Sequence, residues 1–283
     1  MPAHGKRRAL GQHFLKDQKV IQAIAEKTLE LAELHHCQAL LEIGPGKGAI
    51  TRPLIKLLAE QKEPRRIAEF ILAERDPSFA LTWRSEATKP IFPVRVEEGD
   101  FLNLEDQAFL KNTPLMIVSN LPYSAGTAIV NRLAQHPGKI PAMVLMFQAE
   151  VAQRLRAEVG TKSWGSLSIW IQNRWDVKRL LAVPPGAFNP PPDVDSEVVV
   201  FTARTEPRVQ IDPANEKDWD SLLRVCFAHR RKMLRSGLPK SGPWQNALAH
   251  SQVDGTKRSE ALSWEEWERL FMSYLKVLRS SKL

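Results

Sequence analysis

The segment Ala39–Ile43 reads Ala-Leu-Leu-Glu-Ile and runs straight into Gly44-Pro45-Gly46-Lys47-Gly48, after which Ile50, Leu54, Ile55, Leu57 and Leu58 recur at helical spacing. A short apolar run, a glycine-rich turn and an amphipathic helix make one β-turn-α unit. The alternation then continues, with apolar runs at 70–73, 94–97, 115–119 and 143–147 separated by helical periodicity or by breakers such as Pro77 and Pro90. Strands that alternate with helices pair in parallel and are covered on both faces, so the expected fold is α/β with a doubly wound, mostly parallel sheet. A helix should precede it, because Val20, Ile21, Ile24, Ala25, Leu31 and Leu34 share one face and Asp17 stands at its N-cap position.

The texture changes after Gly165. Residues 167–175 are compatible with helix or strand, whereas 177–183 and 198–204 read as two strands of a closing β-hairpin that brings the sheet to seven. Their connection runs Pro184-Pro185-Gly186-Ala187-Phe188-Asn189-Pro190-Pro191-Pro192, and prolines that fix φ and remove N–H donors make it a stiff loop rather than sheet interior. Residues 207–215 look like a linker. Beyond them the spacing of Trp219, Leu222, Leu223, Cys226 and Phe227, then Trp264, Trp267, Leu270, Phe271, Tyr274 and Leu275, is helical. The expected division is an α/β domain over 1–205 and a small all-α domain over 206–283.

Composition narrows the function classes. Hydrophobic residues at 43% and charged residues at 25% are ordinary for a globular protein, but a net charge of +8 exceeds what solubility requires and suggests an acidic partner. Cys37 and Cys226 form no CxxC, and the histidines are scattered apart from His35-His36, which reads as a helix end, so neither a disulfide framework nor a metal site is expected. The basic start, Met1 to Arg8, is followed by no apolar stretch, and no run approaches a membrane span, which favours a cytoplasmic protein. Faces expected to be basic rather than apolar favour a monomer.

Three features could carry chemistry at the strand ends, where open α/β sheets bind ligands. The Gly44 and Gly46 turn has GxGxG spacing, which suits a cofactor-binding turn other than the dinucleotide GxGxxG, although a plain βα turn would use glycines too. Glu74 ends the second strand and could accept bonds from ribose hydroxyls, with Asp76 as a rival; its distance from Gly44 implies a loop insertion at 62–66. Asp100 follows the third strand and could meet an adenine amino group of the cofactor, and any of these acids could equally be a helix cap. The fourth strand ends in Asn120-Leu121-Pro122-Tyr123. An adenine amine is a poor nucleophile because its lone pair is delocalised; an Asn120 oxygen and a carbonyl near Leu121 that accept its two N–H bonds would favour a pyramidal nitrogen. Pro122 stiffens the turn, and Tyr123 offers a ring for a base to stack on.

In order along the chain stand Gly11-Gln12-His13-Phe14-Leu15, Glu42-Ile43-Gly44-Pro45-Gly46-Lys47-Gly48, Glu74-Arg75-Asp76, Asn120-Leu121-Pro122-Tyr123, Phe188-Asn189-Pro190-Pro191-Pro192-Asp193-Val194-Asp195-Ser196 and Arg230-Arg231-Lys232-Met233-Leu234-Arg235. Over nearly its whole length the chain thereby resembles the small-subunit ribosomal RNA adenine N6-dimethyltransferases. The resemblance implies a Rossmann-like methyltransferase sheet and S-adenosyl-L-methionine as cofactor. It implies N6-dimethylation of two adjacent adenosines near the 3′ end of 16S rRNA during small-subunit biogenesis. It implies cofactor contacts from His13, Leu15, Gly44, Gly46, Glu74, Asp100 and Asn120, and a flipped base held between Tyr123 and Phe188. The chain departs from the family at His13, where Asn is frequent, at 124–127, and at Ala149, where Lys is common.

Six basic and no acidic residues lie between Arg224 and Lys240. Helical spacing would gather Arg224, Arg231 and Arg235 on one face, with Arg230 and Lys232 beside them, and Lys6-Arg7-Arg8 adds a basic arm. RNA phosphate contact is favoured over a merely solvated surface. The rival readings are a methylase of large-subunit rRNA, a nucleic-acid-binding protein of this fold without turnover, and a DNA adenine methylase. The Arg-Arg-Lys segment argues against the first and an intact Asn120 against the second; the third more often carries Asp-Pro-Pro-Tyr.

Overall fold

The computed structural model describes residues 13–60, 67–87 and 92–280. Contacts divide the chain into two units, one of Met1–Ala152 with Trp175–Ala203 and one of Gln153–Arg174 with Arg204–Leu283.

In the first unit, strand β1 (Phe14–Leu15) leads into a helix over Gln18–Leu34. Asp17 caps that helix as its position predicts, accepting from the backbone N–H groups of Lys19 at 2.9 Å and Val20 at 3.1 Å. Val20, Ile21, Ile24, Ala25 and Leu31 are its buried face. His36, with φ +53°, ends it in the left-handed turn expected of a helix terminus.

The expected strands then appear as β2 (Ala39–Ile43), β3 (Glu69–Glu74), β4 (Val94–Glu98), β5 (Leu115–Asn120), β6 (Ala142–Gln148), β7 (Trp175–Val183), β8 (Phe188–Asn189) and β9 (Ser196–Ala203). Seven of them form one sheet in the order β4-β3-β2-β5-β6-β9-β7. Pairings from β4 to β6 are parallel, and β9 runs antiparallel to both β6 and β7, which is the anticipated closing hairpin. The central strands are covered on both faces, so β2 is buried throughout and periodicity of two is absent from it. Inside the proline-rich connection, β8 forms a two-stranded ladder with β1, matching Leu15 to Phe188.

The second unit corrects two expectations. Residues 167–175 resolve into a helix over Ser166–Gln172, and the segment Gln153–Arg174 belongs with the helical unit rather than with the sheet. The reason is apolar: Trp164 and Ile169 bury in the core formed by Trp219, Leu222, Trp267 and Phe271. The stretch 207–215, expected as a linker, is anchored there too. Val209 is fully buried, and the Asn173 side chain brackets it, donating to its carbonyl at 3.1 Å and accepting its N–H at 2.7 Å. The predicted helices follow over Glu216–Phe227 and Trp264–Ser280. Among the described residues no helix is long and apolar enough to cross a membrane.

Replacing Asp17 by Ala leaves two N–H groups of the first turn without their acceptor. The expected cost is about 1 kcal/mol, read as a lowered midpoint of thermal unfolding with an unchanged far-ultraviolet spectrum.

Candidate active site

From β2 the chain winds outward to β3 and β4 on one side, then returns to place β5 and β6 on the other. The carboxyl ends of β2 and β5 therefore part company, and a cleft opens between them. Its walls carry His13, just before β1, and Leu15 from β1, Glu42, Gly44 and Gly46 from β2 and its turn, Glu74 from β3, and the segment from Asn120 to Tyr123. Six of the seven residues predicted to meet a cofactor come together here. The seventh, Asp100, is not on the cleft wall: its carboxylate accepts the Leu102 N–H at 3.0 Å and faces Arg75 at 3.5 Å.

The glycine turn has the geometry its sequence suggests. Gly46 has φ +51° and Gly48 φ +83°, conformations costly for other residues. A Cβ on Gly46 would lie 3.2 Å from the Phe14 ring, and one on Gly48 would lie 2.5 Å from Trp83. Glu74 secures the turn by accepting the Gly46 N–H at 2.9 Å, while its other oxygen accepts the Asp76 N–H at 2.8 Å. Asp76 instead binds the N–H and hydroxyl of Ser78 at the start of the helix Pro77–Ala87. Of the two acids left open by the sequence, Glu74 is the one that faces the cleft.

At the end of β5 the Asn120 side chain donates through Nδ2 to the His13 carbonyl at 3.3 Å. The Pro122 carbonyl is taken by the Ala125 N–H at 3.0 Å, which leaves the Leu121 carbonyl as the neighbouring backbone candidate. Tyr123 is half-buried and its hydroxyl lies 2.7 Å from Ser196 Oγ. Burial raises the phenol above its ordinary pKa, so it stays neutral.

Phe188 does not line the cleft. It is 1% exposed and packs in the sheet-side core with Leu15, Val183, Ala187 and Val198. Pairing with β1 turns its side chain inward while Asn189 stays exposed. The ring that lies against Tyr123 is that of His13, stacked at 5.8 Å with 28° between planes, and His13 Nδ1 lies 2.9 Å from the Pro190 carbonyl.

Glu42 was quoted in a motif but given no role. It is 2% exposed, lines the cleft, and its Oε2 has no hydrogen-bond partner. Burial pushes its pKa up to about 8, and the Glu74 carboxylate adds to the rise. The signal was present, since a charged residue in the middle of a strand buried on both faces needs a reason.

In the helical unit the five basic candidates separate. The helix ends at Phe227, so Arg224 does not share a helical face with Arg231 and Arg235. Arg224 pairs with Asp220 at 2.8 Å, and Arg230 is a structural tie, donating to the carbonyls of Lys162 and Trp164 and facing Glu260. Arg231, Lys232 and Arg235 are exposed and make no ion pair among the described residues. The Lys6-Arg7-Arg8 arm and the 62–66 insertion lie outside the described residues.

Residues 3–276 match the family described as ribosomal RNA adenine dimethylase. The chain belongs to that family. It is 35% identical to a ribosomal RNA small subunit methyltransferase A from Syntrophotalea carbinolica, over 94% of this chain and 96% of the relative. A protein of the same name from Dinoroseobacter shibae is 36% identical over 92% and 89%. Among solved structures, the 23S rRNA methyltransferase ErmE superposes with a TM-score of 0.64 at 27% identity, covering 92% of this chain and 98% of that one. A dimethyladenosine transferase from Plasmodium falciparum shares the fold, with a TM-score of 0.74 at 24% identity over 94% and 98%.

Membership makes the chain an S-adenosylmethionine-dependent rRNA methyltransferase, and the cleft suits that cofactor. No atom lies within 4 Å of a Cβ built on Gly44, the carboxyls of Glu42 and Glu74 line the cleft, and the buried Glu42 Oε2 has no hydrogen-bond partner.

Below pH 4.5 Glu42 holds its proton folded or unfolded; between there and about 8 only the folded protein keeps it. Stability should therefore fall as pH rises through that window and level off above it. Glu42→Gln removes this loss: its melting temperature should exceed that of the parent by a margin that widens from pH 5 to 8. Parallel pH profiles would show that burial does not hold the proton.

Proposed function

We propose that this chain dimethylates N6 of two adjacent adenosines near the 3′ end of 16S rRNA and acts in small-subunit biogenesis, as a cytoplasmic monomer. The observation that carries the chemistry is the Asn120 side chain, held through Nδ2 by the His13 carbonyl on a cleft wall that it shares with Tyr123. The small-subunit substrate is supported by what the relatives from S. carbinolica and D. shibae are named for.

S-adenosylmethionine supplies an electrophilic methyl on a sulfonium sulfur. Gly44, Gly46 and Glu74 would hold it along the glycine turn, with His13, just before β1, and Leu15 in β1 closing on it and Glu42 accepting its ammonium group. Asn120 Oδ1 and the Leu121 carbonyl would each accept one N–H of the target amine, drawing its lone pair out of conjugation and pointing it across the cleft. Pro122 keeps those two acceptors in fixed relation, because its ring restricts the turn. The Tyr123 ring, pinned by Ser196, would give the base a face to stack on. In the helical unit Arg231, Lys232 and Arg235 would bind RNA phosphates, positioning the substrate without selecting the base. A large-subunit target is the second reading, favoured by the likeness to ErmE.

With methyl-labelled S-adenosylmethionine, unmethylated small subunits should take up label and yield dimethyladenosine on mass analysis. Label confined to large-subunit RNA would favour the second reading. Asn120→Ala should lower kcat about 100- to 1,000-fold with subunit binding retained; unchanged turnover would remove Asn120 from its role.

Substituting Arg231 and Arg235 together with Ala should weaken RNA binding. It should also reduce the slope of log affinity against log salt by roughly 1.5 to 2, as two lost phosphate contacts require. An unaltered slope would mean that these side chains face solvent in the complex.

A further inference from the structure

Behind the glycine turn, on the side away from the cleft, stands Trp83 on the helix Pro77–Ala87. It is 2% exposed, and its indole N–H donates to the Gly46 carbonyl at 3.0 Å. Gly46 is thus held at both polar atoms, its N–H by Glu74 and its carbonyl by Trp83. The same ring covers Gly48 so closely that no side chain fits there. The ring also packs in the sheet-side core and lies against the Arg52 guanidinium, 4.9 Å from the ring centroid. Arg52 in turn makes two bonds to Glu86, at 2.7 and 2.9 Å. Glu86 stands three residues after Trp83, one turn along the same helix, so both ends of this tie rest on one rigid element.

The arrangement matters because the turn has little of its own to fix it. Three glycines with positive φ leave many backbone conformations open, and within the turn the only bond joins Gly48 N–H to the Pro45 carbonyl. We propose that Trp83 is a positioning residue for cofactor binding: its indole N–H sets the Gly46 peptide, and the Arg52–Glu86 pair keeps the ring in place. Without the indole, the Gly46 carbonyl loses a buried partner and the turn samples orientations in which the Gly46 N–H no longer meets Glu74. Each such orientation lowers the fraction of protein ready to bind, and apparent affinity falls with it. This inference rests on the reading that the glycine turn and Glu74 hold the cofactor.

The test is equilibrium binding of S-adenosylhomocysteine by calorimetry to the full chain. Trp83→Phe keeps an aromatic ring on the helix but removes the N–H together with the Cζ2 and Cη2 atoms that cover Gly48; it should raise Kd about tenfold. The KM for S-adenosylmethionine should rise in proportion, with kcat at saturation and RNA affinity within twofold of the parent. Arg52→Leu leaves the indole bond and frees the outer face of the ring, and should raise Kd about two- to threefold. Wild-type affinity in Trp83→Phe overturns the proposal. So does a joint loss of cofactor and RNA binding with a depressed melting temperature, since that marks a merely structural side chain. If Trp83→Phe does not fold, Arg52→Leu decides, and parental affinity there overturns the proposal. A parent that binds while Glu74→Ala binds equally well would instead sink the underlying reading of the site.

Discussion

Two parallel strands, Ala39–Ile43 and Leu115–Asn120, are hydrogen-bonded in register from Ala39 opposite Leu115 to Glu42 opposite Val118. Beyond the last pair the Ser119 hydroxyl closes onto the Ile43 carbonyl, across 76 residues of sequence. Everything chemical about the chain depends on that junction. One strand delivers a glycine turn and the other an asparagine, and because the chain reverses its direction of winding between them, neither edge is covered by a connecting helix. A slip by one residue would turn every side chain of the strand to the opposite face and remove Asn120 from the cleft.

The electrostatics of the cleft follow from its depth. Burial raises the proton affinity of both Glu42 and Glu74; the Glu74 carboxylate adds to the rise at Glu42, and Asp76 adds to the rise at Glu74. Glu74 offsets part of that cost with backbone N–H bonds from Gly46 and Asp76, whereas Glu42 Oε2 has no such bond. An unsatisfied carboxyl oxygen in a protein core is destabilising unless something else binds it. That imbalance is what one expects of a site shaped for a cationic guest rather than for the empty protein.

Much of this was legible in the sequence because strands buried on both faces, glycine turns and proline breakers leave local marks. The five parallel strands, the hairpin and the cap at Asp17 all rest on such marks. Phe188 illustrates the limit: an aromatic on a proline-rich loop reads equally as a stacking ring or a core plug. Only its ladder with Leu15, formed across more than 170 residues, turns it inward. Arg224, Arg231 and Arg235 fit one helical face on paper, but nothing local shows that the helix stops at Phe227. Glu42 carries a plain signal that periodicity ignores, since it is defined by burial rather than by spacing. Trp83 had no signal at all, because its partner Gly46 belongs to a different β-turn-α unit.

The chain does not pass once from the sheet unit to the helical one. It leaves after Ala152, returns at Trp175 and leaves again after Ala203. The helical unit is therefore assembled from two separate stretches of sequence, with Trp164 and Ile169 from the first inside the core of the second. No single cut in the polypeptide can release it whole. A fragment beginning after residue 205 would lack part of its own interior, and the remainder would carry a tryptophan and an isoleucine with nothing to bury them. What looks in a linear diagram like a detachable tail draws on a stretch of sequence that lies between two strands of the sheet.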